Sequence, residues 1–513
     1  MPPEESKNKY ADHSSGSAKT YQCGALTYTK PALAVLFFWL FWGDICYNLM
    51  ENVTGPIMQL KFETLGASNK TMVLITSTIP TLIYIFMNPV VSFKSDRFRS
   101  RLGRRVPFII ATLPFLTLAL VALAYCDQIG MWVYGYLKGT GLSNTTVVIG
   151  TIGLLLIVFS FLNTVFTSMF WYLFRDVVPE LLLARFMSWF RLITLATTAC
   201  YKLYIFPHSR THPKEIFLGA AALYLVGFGL MMLNVREGKY PPPPPYAGGK
   251  TGPLAAIKTF GKDCHSHAHY WYFWGTTFIG SIGGGVTIFA LYYSERIGLD
   301  LNQIGQIGMV NDIVVAILVL GAGWLADRYH PIRVVIVGSL LGLVVTPVNL
   351  IWLFWHPPAD AVWQWHLHLA YWQPVFEMRQ VYLVQFCLAI GLGAPIAALA
   401  AMWDPVLLMR VFPHEQLGQF CSTNGIWRAG GAMLGAIFAG SALDLVGSWV
   451  GKDNAYFYIP IWQLVFGVPA FYLLLKFYQS WKRYGGDEAY VPPVLDNHCA
   501  DAPLPCPLPE TPL

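Results

Sequence analysis

Apolar residues fill twelve long runs of the chain, and short polar segments separate these runs. Runs of this length are typical of membrane-spanning helices, because about 20 apolar residues cross the hydrocarbon core and only internally hydrogen-bonded backbone is stable there. The runs cover residues 31–51, 71–92, 107–125, 146–174, 184–206, 215–235, 269–293, 303–326, 332–354, 380–404, 418–443 and 455–478. The pattern predicts an all-α membrane protein with twelve transmembrane helices.

Composition narrows the class of protein further. Of the 513 residues, 55% are apolar and 12% are charged, and the mean hydropathy is +0.48. Soluble domains carry about twice that share of charge, which argues against a large soluble enzyme, and a disordered or fibrous chain is excluded. The net charge of +6 lies in short loops and does not indicate nucleic-acid binding. The nine cysteines are scattered singly, which predicts no disulfide framework.

The placement of lysine and arginine predicts the orientation in the membrane. If the N-terminus is cytoplasmic, inner segments hold 24 of the 34 basic residues and outer loops hold 9, with Arg428 inside a run. Cytoplasmic loops carry the excess of positive charge in membrane proteins. We therefore expect both termini to be cytoplasmic, in a plasma or inner membrane.

Two loop signatures recur at nearly equal spacing and indicate a duplication. Asp96 and Asp327 are 231 residues apart, and Pro179 and Pro413 are 234 apart. Two pseudo-symmetric six-helix halves are typical of alternating-access transporters, which bind substrate between the halves. The predicted organisation is an N-terminal tail at 1–30, a six-helix half at 31–235, a proline-rich linker at 236–268, a second six-helix half at 269–478 and a disordered tail at 479–513. The linker could instead be a ligand for a proline-recognition domain.

The loop after the second run has the most specific sequence in the chain. Residues 95–107 read Ser-Asp-Arg-Phe-Arg-Ser-Arg-Leu-Gly-Arg-Arg-Val-Pro. This loop resembles the signature loop of the major facilitator superfamily, and more narrowly that of the glycoside–pentoside–hexuronide symporters and their sucrose-transporter relatives. The resemblance implies the major facilitator fold with its alternating access. It also implies that these loops latch helix ends together, and the gating residues would be Asp96, Arg97, Arg104, Arg105, Asp327 and Arg328.

Polar and ionisable side chains inside the apolar runs are candidates for substrate and coupling-ion sites, because they are costly in a bilayer. Tyr47, Asn48 and Glu51 follow Asp44 at i+3, i+4 and i+7 and form one polar stripe on the first helix. The remaining candidates in later runs are Asn163, Thr167, Trp171, Trp274, Asn311, Asp312, Asn424 and Arg428. Each could instead be structural, as an interhelical hydrogen bond, a salt bridge or a core ring.

The twelve histidines fall in loops, tails or the edges of runs, so an aspartate is the available titrating group in the membrane. We expect Asp44 to be the coupling carboxylate, alone or together with Asp312. Arg428, on the facing half, could stabilise the deprotonated state. The resemblance adds that the first helix of this family carries an acid in the sugar site.

Motifs for nucleotide binding or hydrolysis do not occur in the sequence, so we expect a transporter and not an enzyme. We expect no cofactor or metal, and a proton as the coupling ion, with sodium as the alternative. The resemblance and the small number of membrane charges predict a neutral sugar or glycoside as substrate and a monomer in the lipid bilayer. Two alternatives stay open: transport of another small metabolite or a lysolipid, and a receptor or sensor that does not transport.

Overall fold

The computed structural model describes residues 20–23, 26–238, 264–358, 360–366, 375–413 and 417–493. It is predominantly helical, and its twelve long helical runs coincide with the twelve apolar runs. The described helical runs are Lys30–Thr64, 69–97, Val106–Ala124, Asn144–Val177, 180–208, Pro213–Asn234, Ala268–Arg296, Leu301–Tyr329, Pro331–Leu353, 380–411, Leu417–Val450 and Asn454–Arg483. They are called the first to the twelfth span below, and the prediction of an all-α membrane fold is confirmed.

Within the described residues, eleven of these runs are long and apolar enough to cross a membrane. The remaining one is the fifth, which begins as Glu180–Cys200 and continues through a π-turn at Tyr201–Ile205. This run also carries Arg185, Arg191 and Lys202. Its position matches the predicted fifth run, so the twelve-span plan is preserved.

Besides the short helix Gly486–Ala489 in the C-terminal tail, three elements occur where the sequence pattern indicated only loops or a tail. A short helix, Cys126–Leu137, follows the third span and exposes Trp132 and Tyr136. Its twelve residues are too few to cross a bilayer. Two antiparallel hairpins complete the set, with strands Tyr21–Cys23, Leu26–Tyr28, Val362–His366 and Val375–Arg379.

The two six-helix halves meet mainly through the second and eleventh spans and through the fifth and eighth spans. Because successive spans alternate in direction, the bundle has two ends. One end, called the Glu63 end, holds Glu63, Arg210 and Arg296. The other, called the Arg105 end, holds the loop at 95–107 together with Asp176.

The segment that follows the twelfth span, as far as residue 493, contacts the second half. The tail predicted to be disordered from 479 onward remains helical to Arg483, and the Tyr490 hydroxyl donates to the Val411 carbonyl oxygen at 2.9 Å. Aromatic side chains of the described segment up to residue 493 pack on the second half. The proline run of the linker lies outside the described residues.

Candidate functional site

Asp44 lies in the first span and is fully buried. The Asn48 amide, one turn later, donates to Asp44 Oδ1, and the Thr194 hydroxyl of the fifth span donates to Oδ2 at 2.9 Å. Among the described residues, no lysine, arginine or histidine forms an ion pair with this carboxyl group. The acid is therefore held by neutral hydrogen-bond donors within the first half.

The rest of the polar stripe forms a second cluster in the same half. Asn163 Nδ2 of the fourth span donates to the exposed Glu51 Oε1 at 2.8 Å, and Thr167 donates to Asn163 Oδ1 at 3.3 Å. The Tyr47 hydroxyl is close to Glu51 and Thr167. Exposed Trp171 is one turn beyond Thr167. The first and fourth spans therefore bring a carboxylate, an amide and two rings close together, and their role in binding substrate stays a prediction.

The second half contains a cavity of about 480 Å³ between the seventh, ninth, tenth, eleventh and twelfth spans. Arg428 lines it, together with Ser281, Ser339, Gln463 and Trp403. Among the described ion pairs, none joins Arg428 to Asp44. Arg428 lines the cavity of its own half, and its interaction with Asp44 stays a prediction.

Two other candidates of the second half are buried near this cavity. Asn424 is 3% exposed, and its Oδ1 accepts a hydrogen bond from Thr277 at 3.2 Å. Trp274 is fully buried, its indole N–H donates to the Cys264 carbonyl oxygen at 3.0 Å, and its ring lies 5.5 Å from that of Phe412. Trp274 therefore belongs to the packed core, which corrects its placement in a substrate cavity.

Asp312 of the eighth span makes an ion pair that crosses between the halves. Lys202 Nζ of the fifth span lies 2.6 Å from Asp312 Oδ2, and both side chains are about a quarter exposed, at 28% and 23%. Lys202 sits in the π-turn Tyr201–Ile205, a helix irregularity that often marks functional positions. Asn311 precedes Asp312 and is half-buried.

A glycine permits this close approach of the fifth and eighth spans. A Cβ atom at Gly305 would lie 2.2 Å from the Lys202 carbonyl oxygen, which no side chain could occupy without separating the helices. Gly308 also packs on Lys202, whose Nζ would be 3.4 Å from a Cβ at that position. The ion pair therefore depends on small residues one turn away.

Further ion pairs join the halves at the Glu63 end. Glu63 accepts from Arg210 at 2.7 Å and from Arg296 at 2.8 Å. Arg210 also contacts Glu295 at 2.8 Å, and Arg296 contacts Asp453 at 3.0 Å. Glu63 and Arg210 belong to the first half and the other three residues to the second, so this network, called the Glu63 network below, links the halves.

The second and eleventh spans add a helix cap to the same end. The Asp444 carboxylate of the eleventh span accepts the backbone N–H groups of Asn69 and Lys70 at 3.1 Å each. These groups begin the second span, where the first N–H groups of a helix need external acceptors and favour negative charge. Tyr456 donates to Asn69 Oδ1 at 2.8 Å. The Glu63 end is therefore closed by contacts between the halves.

At the Arg105 end, the loop motif is organised around Asp176, where the fourth span ends. Arg104 binds this carboxylate through two nitrogens, with Nε at 2.8 Å, and Arg105 Nε lies 3.2 Å from it. Arg105 also donates to Ser95 and stacks over Tyr172, with 5.0 Å to the ring centre. Arg104 and Arg105, two of the predicted gating residues, therefore fasten the loop to the fourth span. Bidentate arginine–carboxylate pairs of this kind are strong and geometrically specific.

Glu237 completes this arrangement from beyond the sixth span. Its carboxylate accepts the backbone N–H groups of Arg104, of Arg105 at 2.9 Å and of Val106 at 3.1 Å, and so caps the third span. Burial raises the pKa of Glu237 above its usual range, while these N–H groups oppose the shift. Gly103 has φ +106°, and a Cβ there would overlap Glu237. The glycine of the motif is thus required by the cap.

The corresponding loop of the second half is simpler. Asp327 lies 3.1 Å from Arg410 of the tenth span, and Arg328 stacks over Trp324 at 5.4 Å. Arg97 is the last residue of the second span. The side chain of Asp96 lies outside the part of the structure that is described.

The sequence matches the family model described as the Major Facilitator Superfamily over residues 40–371, which is more than half of the chain. The chain belongs to the major facilitator superfamily. This is a family of transporters, and the bundle described above has its fold. No curated protein is significantly similar to the chain in sequence.

Solved structures of the superfamily share the fold at low sequence identity. A variant of the nucleoside transporter NupG is 11% identical with a TM-score of 0.60, and the match covers 87% of this chain and 98% of that one. A bacterial homologue of the human lysosomal transporter Spinster, in an inward-facing and unoccupied conformation, is 14% identical with a TM-score of 0.59, over 88% and 99% of the chains. A D-xylose–proton symporter is 11% identical with a TM-score of 0.55, over 85% and 96%.

Several residues of this superfamily member were not foreseen from the sequence. Lys202 falls within a predicted apolar run, where an ionisable residue is a functional candidate, but it was not among the predicted site residues. Thr194 and Glu237 carried no such signal, because a threonine in an apolar run and a glutamate in a linker are both common. Their partners come from other spans and become visible only in the fold.

Proposed function

We propose that this transporter carries a neutral sugar or glycoside together with a proton by alternating access. The observation that carries the proposal is the environment of Asp44, which is fully buried and hydrogen-bonded by Asn48 and Thr194 without a described cationic partner. Transferring an unpaired charge out of water is very costly, whereas a protonated carboxyl group costs much less. Asp44 therefore binds and releases the coupling proton.

The choice of substrate rests on the cluster beside Asp44. Glu51 and Asn163 offer hydrogen-bond acceptors and donors for hydroxyl groups, and Tyr47 and Trp171 offer ring faces for apolar C–H surfaces. The loop at 95–107 resembles that of glycoside–pentoside–hexuronide symporters and supports the same substrate class. The similar structures transport chemically different solutes, as their names state, so the fold alone does not select among them.

The conformational cycle follows from the two ends of the bundle. With cytoplasmic termini, as the placement of basic residues favours, the Glu63 network faces outward and is the outer gate. The Lys202–Asp312 pair extends this gate toward the membrane interior. Opening outward would break these contacts, and the loops at Asp176 and Asp327 would rearrange at the cytoplasmic side.

Uptake by the purified protein in liposomes tests the proposal. We expect accumulation of a radiolabelled disaccharide or glycoside when the liposome interior is alkaline, and collapse of accumulation when a protonophore is added. A sodium gradient at equal pH on both sides tests the alternative coupling ion, because accumulation under this condition would indicate sodium coupling. Uptake of a lysolipid or a nucleoside with no sugar uptake would overturn the substrate, and binding without transport would show a receptor.

A further inference from the structure

A groove of about 800 Å³ opens between the third and sixth spans at the Arg105 end of the bundle. It lies within the first half and away from the Asp44 cluster. Its lining divides into two parts, a charged mouth and an apolar wall. The mouth contains Arg101 and Arg236, and the wall contains Ile110, Leu113 and Leu233.

The mouth of the groove carries uncompensated positive charge. Arg101 and Arg236 are both exposed, and neither forms an ion pair with a described residue. The one acid in the lining is Glu237, whose carboxylate already accepts three backbone N–H groups of the third span. Arg104, beside the groove, is bound to Asp176. Two guanidinium groups therefore remain to bind an anion from outside the protein.

The wall of the groove matches the hydrocarbon of a bilayer. Leu233 is 77% exposed and Ile110 is 42% exposed. Leu102, near the mouth, is 57% exposed. In a membrane protein such side chains contact acyl chains, and they begin directly beside the two arginines. The groove therefore presents cationic and apolar surfaces in the order in which a phospholipid presents its headgroup and its chains.

We propose that this groove binds one anionic phospholipid from the leaflet at the Arg105 end. The phosphate lies between Arg101 and Arg236, since planar guanidinium groups bind phosphate oxygens in pairs. The acyl chains lie along Ile110 and Leu233. Basic pockets between helices at the cytoplasmic side are known to select anionic headgroups. The bound lipid bridges the third and sixth spans next to Glu237 and reinforces the cap that holds the loop.

Lipid binding to the purified full-length protein tests this proposal without any transport measurement. Native mass spectrometry in mixed micelles compares retention of phosphatidylglycerol with that of phosphatidylcholine. We expect the wild type to prefer phosphatidylglycerol, and the variant R101Q/R236Q to lose that preference by roughly 25-fold, since each basic residue contributes about fivefold. The matched control is K482Q/R483Q, which removes two exposed charges from the twelfth span at the same end.

Three results would overturn the proposal. The first is an unchanged preference for phosphatidylglycerol in R101Q/R236Q. The second is an equal loss of preference in K482Q/R483Q, which would indicate only general surface charge. The third is displacement of phosphatidylglycerol by inorganic phosphate at the concentration at which the lipid itself competes. Thermal unfolding in phosphatidylcholine checks that the variants fold. Because neither arginine makes an ion pair with a described residue, we expect R101Q/R236Q to keep the melting temperature of the wild type there. In phosphatidylglycerol, we expect the wild type to gain in melting temperature and only R101Q/R236Q to lose this gain.

Discussion

Asp44 and Asp312 are both acids within membrane spans, but their surroundings differ. Asp44 is fully buried in the first half and is bound by the neutral donors Asn48 and Thr194. Asp312 is partly exposed at the interface between the halves and lies 2.6 Å from the Lys202 ammonium. One acid is enclosed within the first half, whereas the other is paired across the contact between the halves.

Under the proposed proton coupling, this difference favours different tasks for the two acids. A carboxyl group with neutral partners can gain and lose a proton without breaking an ion pair. The ion pair of Asp312 with Lys202, in contrast, lasts only while the fifth and eighth spans are in contact. Sequence position alone suggested that the acids could share the coupling role. Their partners instead favour coupling at Asp44 and gating at Asp312.

The largest effect is expected for Asp44→Asn. Asparagine keeps the size and can still bond Asn48 and Thr194, but it cannot carry a coupling proton. Proton-driven accumulation in liposomes should fall to simple equilibration, while exchange between equal pools of substrate persists. Asp312→Asn is the comparison variant and should retain proton dependence. Accumulation by Asp44→Asn at the wild-type level would show that the proton binds elsewhere.

The next effect concerns the Lys202–Asp312 pair and is measured by thermal unfolding. Lys202→Met or Asp312→Asn alone leaves one charge without its partner, whereas the double variant removes both. Because the side chains are only about a quarter exposed, we expect a coupling free energy of about 1 kcal/mol in the double-mutant cycle. Strictly additive losses would show that the two groups do not interact in the membrane protein.

The same comparison shows what the sequence could establish. The spans were predictable because the bilayer requires continuous apolar helices, and the third run, 107–125, differs by one residue at each end from Val106–Ala124. The length of the first helix was underestimated, because the predicted run ends at residue 51 and the helix extends to Thr64. Polar residues of this extension contact other helices, as Asn52 does with Thr198 and Lys61 with Asp127. The stripe at Asp44 was visible because i+3 and i+4 spacing fixes a helix face.

What the sequence could not establish is which spans supply the partners of each acid. Thr194 is 150 residues from Asp44, and Lys202 is 110 residues from Asp312. Such contacts depend on how helices cross, and a crossing such as that at Gly305 is set by tertiary packing. Trp274 illustrates the opposite error, since an aromatic ring in a span fits a core as well as a cavity.

A smaller effect on stability is expected at the Glu63 network, which joins the same two halves as the Lys202–Asp312 pair. Glu63→Gln weakens two arginine contacts that join the halves. Partly exposed pairs contribute about 1 kcal/mol or less, so backbone amides in residues 59–73 and 290–300 should exchange up to about fivefold faster with deuterium. Glu215→Gln is the matched control, because Glu215 is exposed and its described contact is to His212 in the same half. Equal exchange in both variants would remove Glu63 from the gate.

The smallest effect is expected at Asn163. Its partner Glu51 is an exposed acid with a neutral hydrogen-bond donor, so it shares its exposure with Asp312 and its type of partner with Asp44. Asn163→Ala removes a hydrogen bond of 2.8 Å to a carboxylate that solvent can still reach. A net loss of about 1 kcal/mol corresponds to roughly a fivefold rise in KM for the sugar. Proton-driven accumulation should persist, because Asp44 keeps both of its donors. Asn454→Ala, at an exposed position with only a helix carbonyl as partner, is the control and should leave KM unchanged. A loss of proton coupling in Asn163→Ala with KM unaltered would move the coupling site from Asp44 to Glu51 and reverse the assignment of the polar stripe.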